Sequence, residues 1–301
     1  MDIKARNVFS VDVEDYFHAS ALADGVRQVG ITNLEHRVCA STERLLGLLD
    51  DAGVEGTFFV LGWVAEHYPE LVRKIHESGH EIACHGYSHS VIYDQSRDEF
   101  REETVKAKRL LEDIIGSPVL GYRAASFSIT KRSLWALDIL ADCGFAYDSS
   151  IFPVHHDRYG IPDANPVPHE LHLEGGRSIV EVPMSAANYL GVNVPVSGGG
   201  YFRLFPYWFT RMAARHVNKA GRPWVFYLHP WEVDSGQPRL PVKGLSRFRH
   251  YNNLEKTETR LRQMLSEFDF ESMQSYLGRA GLLHHNGACD SSHADLVANQ
   301  R

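Results

Sequence analysis

The chain has no apolar run that approaches the about 18 residues a membrane-spanning helix requires. Its first residues, Met1-Asp2-Ile3-Lys4-Ala5-Arg6, pass straight into a β-rich run, without the apolar stretch or cleavage site of a secretory leader. These two absences give the expectation of a cytoplasmic protein with no membrane span. Basic clusters are missing as well: 31 lysines and arginines are spread among 38 acids, for a formal charge of −7. A protein that grips nucleic acid by its phosphates concentrates cations on one face, so no nucleic-acid partner is expected. Cysteine is scarce, and Cys39, Cys84, Cys143 and Cys289 show no C-x-x-C spacing. That excludes a disulfide scaffold and leaves reduced thiols in apolar or mixed surroundings. No internal repeat or low-complexity block interrupts the sequence.

What the sequence does have is alternation of strand-like and helix-like segments. Asn7-Val8-Phe9-Ser10-Val11-Asp12-Val13 reads as a strand buried on both faces, and it runs into three acids, Asp12, Glu14 and Asp15. A helix is expected over residues 42–51, capped by Ser41 or Thr42 and stopped by Gly53. Further strands are expected at 56–62, 80–84, 119–125, 145–148 and 224–230. Helices are expected at 69–78, 98–115, 131–143, 206–220, 254–268 and 271–281. Alternation of this kind predicts an α/β fold with a parallel, barrel-like or doubly wound sheet. Residues 149–200 break the pattern with prolines at 153, 162, 166, 168, 183 and 195 and the run Gly198-Gly199-Gly200. That run is expected to be either a mobile loop lining a groove or a flexible connection.

The chemistry-bearing residues fall at strand C-termini. His85-Gly86-Tyr87-Ser88-His89 places two imidazoles four residues apart, expected on one face of a helical turn about 6 Å from each other. Arg123, Asp148 and His229 end three other expected strands. In a parallel barrel these ends share one rim, so residues distant in sequence meet in one site. Two imidazoles and a carboxylate make a hydrolytic metal centre with open positions. A second carboxylate would serve as base and a histidine would protonate the leaving group. Arg123 would keep the base ionised, since a nearby cation favours the charged form. Asp148 would orient the acid histidine. Trp231, beside His229, is expected either to face a sugar ring or to pack in the core. His155 and His156 are expected at the surface.

On these residues the chain resembles the polysaccharide deacetylases (carbohydrate esterase family 4, NodB-homology fold). Within them it is similar to the subgroup associated with exopolysaccharide loci and the exosortase/PEP-CTERM system. The motifs are Ser10-Val11-Asp12-Val13-Glu14-Asp15, His85-Gly86-Tyr87-Ser88-His89, Gly121-Tyr122-Arg123-Ala124-Ala125-Ser126-Phe127, Asp148 and Leu228-His229, in family order. Ala125 stands where that arginine motif often has proline, and the Asp148 motif lacks its usual tryptophan. The resemblance implies a distorted (β/α) barrel over residues 1–235 and a C-terminal helical extension over 236–283 packed on it; the polar tail over 284–301, with little to bury, is expected to be mobile. It implies a metal-dependent hydrolase that removes N-acetyl or O-acetyl groups from a polysaccharide or its precursor in exopolysaccharide biosynthesis. The partner is then an acetylated saccharide, and the cofactor a divalent metal, with zinc suited to a His/His/carboxylate set.

The acidic motif leaves two registers open. Strand alternation puts Asp12 and Glu14 on one face, which favours Glu14 as ligand; the shorter Asp15 at the strand end is the more usual metal ligand. The expectation taken forward is Asp12 as base, Asp15 with His85 and His89 as ligands, and Glu14 at or next to the metal. Arg123, Asp148 and His229 complete the catalytic set. Two rival readings remain: an allantoinase-like hydrolase of small cyclic amides, and a carbohydrate-binding protein with a decayed site.

Overall fold

The computed structural model describes residues 6–156 and 158–283. The expected mobile tail, with Cys289, lies outside the described residues. The sheet is built on β1 (Arg6–Val13), whose residues from Asn7 onward are all buried. A strand with no solvent face must be covered on both sides, and β1 is bounded by parallel neighbours throughout. On one side runs β10 (Val225–Leu228), with Val8 opposite Val225 and Val11 opposite Leu228. On the other runs β2 (Thr57–Val60), followed by β3 (Glu81–Cys84), β4 (Gly121–Tyr122) and β5 (Tyr147–Asp148), all parallel. β6 (His169–His172) lies antiparallel on β7 (Ser178–Glu181), which pairs with β5. β8 (Ala186–Tyr189) and β9 (Val192–Pro195) form a separate hairpin.

The path β10-β1-β2-β3-β4-β5-β7-β6 is a curved sheet of the distorted (β/α) barrel type, as expected. Its curvature is visible in one contact: Arg123, after β4, reaches Ser10 and Asp12 on β1, across two intervening strands. The barrel closes between β7 and β10 through irregular chain. Ser185 Oγ accepts from Val225 N–H, Ser197 Oγ donates to Ser185 O, and Ser197 O accepts from Tyr227 N–H. The break in alternation at residues 149–200 is therefore the seam of the barrel.

Helices cover the outside of the sheet and fill the main core with Leu45, Leu49, Val64, Val72, Phe100, Leu111 and Leu140. Most follow the sequence: Pro69–Glu77, Arg97–Ile115, Tyr207–Lys219 and Leu254–Glu267. The helix expected from residue 42 starts earlier, at Val38, and neither Ser41 nor Thr42 caps it. The run Gly198-Gly199-Gly200 is neither loop nor linker. It opens the helix Gly199–Leu204, with Gly199 and Phe202 buried. The C-terminal region is not only helical. β11 (Asp269–Glu271) extends β1 along the edge below β2, pairing with Arg6, Asn7 and Val8. Met273 N–H then donates to Thr57 Oγ1 and Gln274 N–H to Glu81, closing the end of the barrel away from the strand C-termini.

Gly121 shows how tightly this barrel is wound: a Cβ there would lie 2.1 Å from the Tyr147 ring on β5. A fixed ring at that distance has to be displaced. Gly121→Ala is expected to cost about 1–3 kcal/mol, read as a lowered thermal midpoint; an unchanged midpoint would refute this packing account.

Candidate active site

The rim at the C-terminal ends of β1, β3, β4 and β10 gathers Asp12, Glu14, His85, His89, Arg123 and His229. Arg123 is the anchor. It is fully buried, donating from Nη1 to Asp12 (2.7 Å) and Ser10 (2.9 Å), from Nε to Ser149 O and from Nη2 to Ser149 Oγ. Its guanidinium also lies over the Phe59 ring at 4.0 Å. A planar fork with its donors committed in this way holds Asp12 in one orientation.

His85 and His89 do lie close, with ring centroids 5.6 Å apart, but they are not on a helical turn. The segment after β3 is an irregular turn with Gly86 at φ 75° and His89 at φ 61°. A non-glycine residue held in the left-handed region costs about 1–3 kcal/mol and is concentrated at functional sites. His85 Nδ1 lies 2.8 Å from the carbonyl of Arg123, which can only accept. The proton therefore sits on Nδ1 and the Nε2 lone pair is left for a ligand. Burial lowers the His85 pKa to about 4, so the ring is neutral.

The carboxylate that joins this pair is Glu14. One ligating atom each from Glu14, His85 and His89 lies within 4.8 Å of the others. Asp15 is placed elsewhere, which corrects its expected role. Its Oδ2 accepts from Arg37 N–H (2.7 Å) and Val38 N–H (3.0 Å), and its Oδ1 from Tyr16 N–H. It thus caps the helix Val38–Ala52 from a distance, the job expected of Ser41 or Thr42. Burial raises the Asp15 pKa to about 6, with these backbone donors pulling the other way.

Glu14 is 1 % exposed. Its Oε2 is 2.7 Å from His89 Nε2, yet it has no hydrogen-bond partner of sound geometry. Its Oε1 accepts from the Trp231 indole (3.1 Å) and lies 3.6 Å from His229 Nε2. Burial by itself raises a carboxyl pKa, but His89 and His229 outweigh it and hold Glu14 well below the ordinary range. An ionised, desolvated oxygen without a donor, facing two imidazoles, fits a cation.

His229 stands on the other flank. Its Nδ1 is 2.9 Å from Glu232 Oε1, so Nε2 is the atom turned towards Glu14. Burial favours the neutral ring, but Glu14, Glu232 and Asp12 overcome it and raise the pKa to about 9. Asp148 does not fill the orienting role expected of it. Its carboxylate is taken by Ser150 Oγ (2.6 Å) and Ser150 N–H (3.1 Å), and it faces Glu181. Glu181 Oε2 finds no donor around it; burial and the Asp148 charge raise its pKa, which favours a proton kept between the two carboxyls. Trp231 is packed rather than open to a sugar: it stacks between His229 (5.0 Å) and His250 (4.3 Å).

Glu232 and His18 are the residues the sequence reading missed. His18 accepts Asp15 N–H at Nδ1 and lies 6.1 Å, ring to ring, from His89. Both carried a local signal: Glu14 and His18 are four apart, and His229 and Glu232 are three apart at a helix start, with Glu232 reaching back to the His229 N–H.

Known proteins resemble this chain in parts and in fold. A family model described as Polysaccharide deacetylase matches residues 36–147, which include His85, His89 and Arg123. Residues 36–147 are thus similar to the polysaccharide deacetylases. A second model, described as a domain of unknown function (DUF3473), matches residues 149–278 and so includes His229 and Glu232. The chain is 32% identical over 127 residues to a peptidoglycan-N-acetylglucosamine deacetylase of Bacillus cereus, covering 42% of this chain and 46% of that protein. A chitooligosaccharide deacetylase of a Bradyrhizobium strain is 28% identical over 117 residues, covering 39% and 51%. The matched part is thus about half the length of these curated relatives or less. Over nearly the whole chain, a crystal structure from Mycobacterium smegmatis assigned to the polysaccharide deacetylases is similar, with TM-score 0.63 and 25% identity, covering 94% of this chain and 93% of that one. An allantoinase structure, Puue, shares the fold at TM-score 0.59 and 15% identity, covering 94% and 93%. Among the described residues, no helix is long and apolar enough to cross a membrane.

The Glu181–Asp148 pair gives a stability signature. A carboxyl whose folded pKa is raised stabilises fully below its unfolded pKa, and the contribution is lost as pH rises through the folded value. The thermal midpoint should therefore fall as pH is raised above the ordinary carboxyl range. Glu181→Gln, which keeps a donor towards Asp148 and cannot ionise, should flatten that fall. An equal fall in the variant would show that the pair does not share a proton.

Proposed function

We propose that this protein is a divalent-metal-dependent deacetylase of an acetylated saccharide, with Glu14, His85 and His89 as the metal ligands. The observation that carries the reading is the placement of this cluster between two held groups of opposite role: Asp12 on Arg123, and His229 on Glu232. Zinc suits the donor set. A metal bound there supplies a Lewis acid that draws charge from the acetyl oxygen.

The chain's own groups then divide the proton work. Asp12, kept in place by Arg123, accepts a proton from the water that adds to the acetyl carbon. His229, protonated and turned with Nε2 into the site, gives its proton to the leaving nitrogen as the carbon–nitrogen bond breaks. The products are acetate and a free amine. Glu14 keeps His229 charged from one side while Trp231 holds Glu14 itself. Loss of either Asp12 or His229 removes half of a two-sided transfer. The resemblance to the exopolysaccharide-locus subgroup points to an exopolysaccharide or its precursor as the natural substrate.

Two outcomes test this. Purified protein should hold about one divalent ion per chain, which Glu14→Gln and His85→Ala should release. Asp15→Ala should instead keep the metal while losing about 0.5–2 kcal/mol of stability as the Val38–Ala52 helix loses its cap. Loss of metal from Asp15→Ala alone would reverse the ligand assignment. Acetate release from acetylated oligosaccharides should fall by about 10²–10⁴-fold in Asp12→Asn and His229→Ala with folding retained. Turnover of small cyclic amides in place of acetylated saccharides would favour the allantoinase-like alternative, and no turnover of either with metal bound would favour a binding protein.

A further inference from the structure

The region that the domain-of-unknown-function model matches, residues 149–278, supplies more than strands to the barrel. It contains a buried arginine, Arg203, that is 2 % exposed and sits at the end of the helix Gly199–Leu204. Its Nε donates to Glu232 Oε2 at 2.6 Å. Its Nη1 donates to the carbonyls of His250 (2.8 Å) and Asn252 (2.9 Å), and its Nη2 to that of Arg249 (3.2 Å). The last carbonyls of a helix lack partners within it, and these three are at the end of the helix Gly244–Tyr251 and just after it. One guanidinium therefore joins the carboxylate behind His229 to the C-terminal segment.

The same segment supports His229 a second way. His250 is the lower plate of the His229–Trp231–His250 stack, and its Nε2 is 2.6 Å from Gln237 Oε1. Gln237 in turn donates to Trp231 O and Asp234 O. Gly199 explains why this helix begins with glycines: a Cβ there would lie 2.1 Å from Glu232 Oε1. Glu232, with no exposed surface, has room for one orientation only.

We propose that Arg203 is a positioning residue of the active site, and that through Arg203 and Glu232 the region 149–278 fixes the orientation of His229 and holds its Nδ1–H on Glu232. The inference rests on the proposed role of His229 as proton donor. An Arg–carboxylate–imidazole chain of this kind acts by holding, not by touching substrate. Its removal should cost turnover and leave saccharide binding and the metal in place.

Three variants test it. Gly199→Ala removes no polar group and presses a methyl onto the Glu232 carboxylate. Arg203→Met deletes the chain's middle member, and Arg203→Lys keeps a cation at Glu232 while losing the fork to residues 249–252. Turnover of acetylated oligosaccharide should fall about 10–100-fold in Gly199→Ala and Arg203→Met, with KM within about twofold and metal content unchanged. Arg203→Lys should recover part of it. The second readout is the ¹⁵N and ¹H imidazole spectrum of His229, assigned by difference with His229→Gln. The Nδ1–H resonance of the wild type should shift or broaden in Gly199→Ala and Arg203→Met. Folded variants with the wild-type His229 resonance overturn the proposal, whether or not turnover changes. If the wild type itself releases no acetate, the hydrolytic reading fails, and the resonance still decides whether Arg203 positions His229. Should Arg203→Met not fold, Gly199→Ala and Arg203→Lys decide between the same two results.

Discussion

One buried carboxylate, Glu14, sets the terms for everything around it. It is desolvated at the end of β1, and one of its oxygens has no donor. An ionised group in that position must be compensated by a cation or by charged hydrogen-bond donors. The rim supplies His89 at 2.7 Å, the Trp231 indole at 3.1 Å and His229 at 3.6 Å. Each partner is itself held: His89 by a left-handed backbone, Trp231 by two imidazole faces, His229 by Glu232. The neighbouring acid, Asp12, is compensated separately by Arg123, which lets two carboxylates two residues apart take different roles.

This constraint also explains the division between Glu14 and Asp15. Both are buried, and both follow β1 directly, but they face different demands. Asp15 is surrounded by the backbone N–H groups of a helix start and a turn, which suit a capping carboxylate, while the cluster with His85 and His89 is made by Glu14. Glu14 continues the strand face of Asp12. Period-two alternation, visible in the sequence, pointed to this arrangement; the preference for a short aspartate as ligand pointed away from it. The geometry of the strand outweighs the statistics of the side chain here.

Much of the barrel was legible because its signals are local. Apolar runs located β1, β2, β3 and β10, with glycines bounding β2 and β3, and helical periodicity located the long helices. What escaped was tertiary. The cap of the Val38–Ala52 helix comes from Asp15, more than twenty residues away in the chain. The seam between β7 and β10 is made by serine side chains in a proline-rich stretch that has no periodicity. Asp148 ends its strand as expected, yet Ser150 and Glu181 claim it, and the work of holding His229 passes to Glu232 three residues on. The His85–His89 spacing did announce a paired site. The backbone that delivers it is a turn with two left-handed residues, which a count of four residues does not distinguish from a helix.

The central claim is that Glu14, not Asp15, completes the site with His85 and His89. Anomalous diffraction from crystals grown with zinc measures this directly. The account predicts a single strong peak about 2.0–2.2 Å from a Glu14 oxygen and from one nitrogen of each histidine, with Asp15 still bonded to the Arg37 and Val38 amides. A peak on Asp15, or no peak among Glu14, His85 and His89 at saturating zinc, would contradict it.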